Sequence, residues 1–230
     1  DLAPRAEETL PETEAARSDA QTAEAEARAA RAEAEGRAGT LDSEVTALTR
    51  LLDRERGQGD QILDRITVSK GFEAALGAAL SDDLKAGEAS APGATGWTGL
   101  SAYDAPTALP PGARPIAELT QGPAVLDRRL SQIGLVDRAE GARLQPLLQP
   151  GQRLVSREGD LWRWDGYAVA AADAVSTAAR RLEQVNRLTE LRAEAVEASN
   201  IAAGTRAAHE TLARRLADLT EADRAARAAR

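Results

Sequence analysis

At 230 residues and a formal charge of −8, the chain is long enough for one or two domains, and it lacks the basic balance of a dedicated nucleic-acid binder. Cysteine is absent, which excludes a disulfide framework and thiolate metal sites. No apolar run approaches the ~20 residues of a membrane span and no signal-peptide core is present. Methionine is missing even at position 1, as expected of a processed chain or an excised piece.

The first predicted element is a coiled-coil arm over 12–62. Ala20, Ala23, Ala27, Ala30, Ala34, Ala38, Leu41, Val45, Leu48 and Leu52 recur in steps of three and four, with one stutter between Ala34 and Ala38. Gly36 and Gly39 fall inside this run, opposite Gly204 in the last arm. Large residues are scarce there, so either the backbones approach closely or the helices bend.

A small α+β domain is predicted over 63–168. An extended stretch at Ile66 and Val68 leads into a helix with Phe72, Ala75, Leu76, Ala79 and Leu80 on one face. The segment 85–123 is rich in Gly, Pro, Ser and Ala and reads as irregular loop. Pro123 opens a second helix, "QIGLVD" reads as a buried strand, and "RAEGARLQPLL" as a helix broken near Pro146.

"RLVSREGDLWRW" then alternates about "EG" as a hairpin with a two-residue turn and Gly159 at positive φ. In that register Arg157 opposes Asp160, Val155 opposes Trp162, and Arg153 lies over Trp164, with Trp162, Trp164 and Val155 on one face. All six aromatic residues lie between 72 and 167. The two tryptophans therefore fill a core short of large residues, form a protein interface, or offer a stacking platform to bases, the last being the weakest reading.

The last predicted element is a second arm over 169–228. Leu188, Leu191, Ala195, Ala198, Ala202, Thr205, His209, Leu212, Leu216 and Leu219 step by three and four, preceded by Val175, Ala178, Leu182 and Val185 in a slightly different phase. Each seam spans about 70 Å at 1.5 Å per residue, and a helix of that length needs a partner for its stripe. Folding the chain back so that paired positions add to about 235 sets Ala23 against Leu212, Ala20 against Leu216 and Leu52 against Leu182. Small faces large, which favours an intramolecular antiparallel coiled coil over two intermolecular ones. His209, the sole histidine, falls on this seam, where packing with one nitrogen turned to water is expected.

Catalytic chemistry finds no support. There is no phosphate-binding loop and no cysteine nucleophile, and the one histidine sits in an arm, away from the carboxylates of the middle domain. Asp82 and Asp83 read as a solvated helix end. The segment 63–170 carries 13 acids against 11 bases, so DNA contact would be weak and salt-dependent, with Lys70, Arg128 and Arg129 the candidate contributors.

"RITVSKGFEAALGAALSDDL" and "RRLSQIGLVDRAEGA…GQRLVSREGDLW" resemble the opening strand and helix and the closing strand, helix and hairpin of the hinge of bacterial structural-maintenance-of-chromosomes (SMC) proteins, over roughly 63–167. That family follows the hairpin with a glycine pair, where Trp164, Asp165, Gly166 and Tyr167 stand here. The segment 86–115 also replaces part of one usual subdomain.

The resemblance implies a cytoplasmic, nucleoid-associated homodimer joined at the hinge, with arms leading to ATPase heads outside this chain that bind ATP, magnesium and kleisin-type subunits, so that the dimer embraces double-stranded DNA. Lack of cysteine argues against the zinc-hook relatives. The implied dimer interface lies on Gln132, Ile133, Gly134, Leu135, Val136, Val155, Gly159, Trp162, Trp164 and Gly166. The competing reading is a structural adaptor, a coiled-coil hairpin whose tip domain binds a protein partner.

Overall fold

The structure is a computed structural model that describes residues 3–55, 61–91, 93–101, 103–174 and 177–228, with side chains described from residue 11 onward, those of 55 excepted. Pro92 and Val175 lie outside the described residues. The chain divides into two compact units, residues 1–47 with 189–230, and residues 48–188.

The first unit is built from most of helix α1 (Ala3–Glu55) and most of helix α5 (Thr177–Ala228). Their Ala, Glu and Arg content gives high helix propensity, and within this unit their apolar stripes are buried against each other. Ala20, Leu41, Leu191, Ala198 and Ala202 are buried, and Ala195, Thr205, His209, Leu212, Leu216 and Leu219 are half-buried. Among the described seam positions, Ala30 alone is exposed.

Cross-helix ion pairs join Glu14 to Arg227, Arg17 to Asp223 and Glu35 to Arg206, so the helices are antiparallel within one chain. These numbers add to 240 or 241, and Glu24–His209 adds to 233, bracketing the expected register. Around Gly36, Gly39 and Gly204 nothing lies within 4 Å of where a Cβ would stand, so these glycines do not mark close backbone approach.

His209 departs from the expectation. Both ring nitrogens engage charged side chains rather than water, with Nε2 2.9 Å from Glu24 Oε1 and Nδ1 3.4 Å from Arg31 Nη1.

The second unit is the α+β domain with the roots of both long helices. A five-stranded sheet runs in the order β2 (Arg114–Pro115), β4 (Ile133–Leu135), β5 (Arg153–Val155), β6 (Leu161–Arg163), β7 (Ala168–Val169). Only β4 and β5 are parallel, connected by α4 (Arg138–Leu144) and a 3₁₀ turn at Pro146. A separate two-stranded sheet pairs β1 (Thr67–Val68) with β3 (Thr120–Gln121).

Helix α2 (Glu73–Leu80) packs its buried Ala75, Leu76, Ala79 and Leu80 into the main core beside Val155 and Leu161. Helix α3 (Asp127–Leu130) follows the 3₁₀ turn that Pro123 opens. Asp82 and Asp83 are exposed, as expected, and Asp82 pairs with Lys85. The long loop is less irregular than its composition suggests. Trp97 anchors it, exchanging backbone bonds with Gly87 and Ala89 and donating its indole N–H to the Asp83 carbonyl at 2.9 Å.

The hairpin register differs from the expected one by one residue. Val155 pairs with Leu161, Leu154 with Trp162 and Arg153 with Arg163. The turn holds three residues, not two: the Gly159 amide donates to the Ser156 carbonyl, and Gly159 takes φ +101°. A type I turn followed by a left-handed glycine produces this bulged loop. The slip moves Trp162 to the face opposite Val155, because strand side chains alternate. Val155 and Leu161 belong to the main core, whereas Leu154 and Trp162 pack with Val136, Leu144 and Leu148 in a second cluster.

Candidate functional site

The hairpin is fixed from its turn outward by Asp160. Its carboxylate accepts from Arg138 Nε at 2.6 Å, Arg138 Nη2 at 3.1 Å, Ser156 Oγ at 2.6 Å and the Ala171 amide at 2.9 Å. Burial by itself would raise the pKa of this carboxyl, but those donors outweigh it and hold the group at about 2. Asp160 thereby ties the turn, the start of α4 and the segment leaving β7 together. The expected Arg157–Asp160 pair does not form. Arg157 instead donates to the Gly71 carbonyl at 3.1 Å and lies over Phe72.

Arg153 does not lie over Trp164 either. It donates to the Ala79 carbonyl at the end of α2, and its burial lowers its pKa. The cation–π contact at this end of the sheet is Arg163 over Tyr167, 5.2 Å from the centroid, with Arg163 also paired to Asp165.

Trp162 is half-buried against Gly141, whereas Trp164 and Tyr167 are 47% and 53% exposed. The aromatic concentration therefore has two uses. Trp162 fills the second core cluster, and Trp164 and Tyr167 stand in solvent beside β7, an edge strand.

The candidate interface residues do not share one surface. Ile133, Gly134, Val136, Val155 and Gly159 are buried inside the domain, and Gln132, Leu135 and Trp162 are half-buried. Strand β4 has neighbours on both sides, so the "QIGLVD" strand presents no free edge; the edges are β2 and β7. Gln132 is engaged from within: its Oε1 accepts from Gln152 Nε2 at 3.2 Å. Gln152 is fully buried, with further bonds to the Ala108 carbonyl and the Gln149 amide. Trp164 and Gly166 are the exposed members of the set.

The candidate DNA contacts are likewise separated. Arg128 donates to the Ser101 carbonyl and stacks 4.3 Å from the centroid of Tyr103, and Arg129 donates to the Gly151 carbonyl at 3.1 Å. Both are half-buried and line a cleft of about 420 Å³ with Trp97 and Tyr103. Lys70 is exposed at the turn before α2.

Sequence reasoning missed the buried polar links at the helix roots. Arg181 donates to the Leu52 carbonyl at 3.2 Å and to Asp64 at 2.6 Å, and Asn186 donates to the Val68 carbonyl at 3.0 Å and to buried Glu73 at 2.6 Å. Their only signal was an arginine and an asparagine on the apolar side of a helical pattern. Among the described residues no cluster of His, Asp or Glu could hold a metal ion, and no helix is long and apolar enough to cross a membrane.

No family model matches the chain. A chromosome partition protein Smc from Cereibacter sphaeroides is 58% identical over 180 residues, 78% of this chain and 16% of the relative. A second, from Rhodopseudomonas palustris, is 40% identical over 207 residues, 89% of this chain and 18% of the relative. The chain thus spans less than a fifth of the length of these relatives. Among solved structures, an asymmetric dimer of the Geobacillus stearothermophilus SMC hinge domain shares the fold, with a TM-score of 0.52 and 17% identity over 90% of this chain and 99% of that one.

Proposed function

Because the chain belongs to the bacterial SMC family, as its hinge domain with both adjoining coiled-coil arms, we propose that it dimerises through the hinge and so joins two arm pairs into one molecule able to embrace DNA. The observation that carries this reading is the 58% identity to a chromosome partition protein across hinge and arms, together with the hinge fold. Within the chain, sheet physics supports the same conclusion. The edge strand β7 leaves backbone groups for a partner strand, and exposed Trp164 and Tyr167 flank it with apolar area that a two-fold partner would cover. The residues Gln132 to Val136 and the β5–β6 hairpin then serve as the rigid sheet behind that edge. ATP and magnesium would act at heads beyond this segment, with kleisin-type subunits as their partners.

DNA contact by this segment is proposed as weak and electrostatic, through Lys70 and the arginines of the Tyr103 cleft, because the hinge is near neutral and offers few phosphate contacts. Light scattering on the whole chain tests the central claim. A dimer at micromolar concentration is expected, and a monomer at high concentration contradicts it.

A further inference from the structure

The α1 side of the arm seam between residues 20 and 38 is all alanine, so apolar packing along this stretch discriminates only weakly between neighbouring registers. Polar contacts beside it sharpen the choice. His209 sits half-buried between Glu24 and Arg31, two residues one heptad apart and opposite in charge. With Arg31 donating to Nδ1, the ring carries its proton on Nε2 and donates to Glu24. Arg206 pairs with Glu35 at 2.7 Å, and Glu35 also accepts from Arg31 at 3.0 Å; these two arginines hold the Glu35 carboxyl below its ordinary pKa. Further out, Asp223, 5% exposed, lies 3.5 Å from Arg17.

We propose that these three cross-helix contacts, centred on His209, are a register lock that specifies how the two arm helices pair. The lock is asymmetric in its penalties. A slide that moves each partner seven residues back along α1 leaves His209 between Arg17 and Glu24, but sets Arg206 against Arg28. A slide seven residues forward sets Arg206 against Asp42, an acceptable partner, but leaves the ring between Arg31 and Ala38 without its carboxylate and sets Asp223 against Glu24. Like charges thus oppose each direction, which is how a polar pattern excludes alternatives that apolar packing tolerates.

Disulfide trapping in the whole chain reads the register directly. Thr205 and Ala30 line one cleft of about 220 Å³, so cysteines placed there report the native pairing. Cysteines at Ala23 or Arg37 with Thr205→Cys report the backward or forward slide, the Arg37 pair as a rise above its native level because Arg37 lines the same cleft. In the otherwise native chain the Ala23 pair stays at background. His209→Leu with Arg206→Ala removes the backward barrier, and the Ala23 pair rises to within about threefold of the Ala30 one while the Arg37 pair keeps its native level. His209→Leu with Asp223→Ala does the reverse.

Circular dichroism checks that each variant keeps its helix, and either folded variant suffices as a test. A crosslinking pattern unchanged from the native chain's in a folded variant overturns the proposal, as does the same pair of slides appearing in both.

Discussion

Trp162 lies so close to Gly141 that a Cβ on the glycine would stand 2.4 Å from the indole ring. The contact is made by the bulk of a six-membered ring and the backbone of α4, neither of which yields cheaply. Gly141→Ala should therefore destabilise the domain by about 2 kcal/mol through overpacking, although alanine favours helix. A lowered urea midpoint with an unchanged slope checks this. A midpoint equal to the native one would mean that the ring swings aside.

Asp160 makes stability depend on acid. Its pKa is about 2 when folded, against an unfolded value near 3.8, so the folded state binds the proton less readily. The contribution is present in full above the unfolded value and fades as pH falls from about 4 to about 2. With the carboxylate side chain only 9% exposed, the shift corresponds to roughly 2 kcal/mol. Asp160→Asn should remove this part of the acid transition and lower stability at neutral pH by a similar amount. Denaturant titrations at pH 2.5 and pH 7 would show the gap between native and variant closing at the lower pH.

Arg181 is nearly buried and bridges the root of α5 to Leu52 and Asp64. Arg181→Ala removes the charged donor that Asp64 and the Leu52 carbonyl share, which costs about 3 kcal/mol. Thermal unfolding should show that loss. Arg181→Met combined with Asp64→Leu should recover much of it, because an apolar pair has no charge to desolvate.

Gly36, Gly39 and Gly204 stand in open space on long helices. Replacing all three with alanine should raise arm helicity and stability by up to about 1 kcal/mol per site. An unchanged or lower melting temperature would show that a bend at these glycines is needed.

Gly134 and Trp164 separate core from edge. A Cβ at Gly134 would meet Leu154 Cδ2 and Ala113 Cβ, each at 2.9 Å, so Gly134→Asp should unfold the domain. Trp164→Glu, at an exposed position, should leave a folded monomer. Scattering and circular dichroism on both variants distinguish loss of fold from loss of association.

The arms were legible in the sequence because coiled-coil periodicity is local. Steps of three and four residues mark a stripe whatever lies elsewhere, and two stripes of complementary size imply their own pairing. The order of elements in the hinge was legible for similar reasons, since Pro123, Pro146 and Gly159 act on their immediate neighbours.

Whatever hinged on a single residue of offset or on distant partners was decided by the tertiary structure. The Glu158–Gly159 pair fits a two-residue or a three-residue turn equally well, and only the packing of Leu154 and Trp162 against α4 selects the three-residue one. Arg153 and Arg157 each had acids to pair with by number, yet each found a carbonyl of another element, and Arg181 bridges the Leu52 carbonyl and Asp64, both more than a hundred residues away in sequence. The buried position of β4, with β2 on one side and β5 on the other, depends on a strand pair more than a dozen residues apart in sequence, which no local pattern encodes.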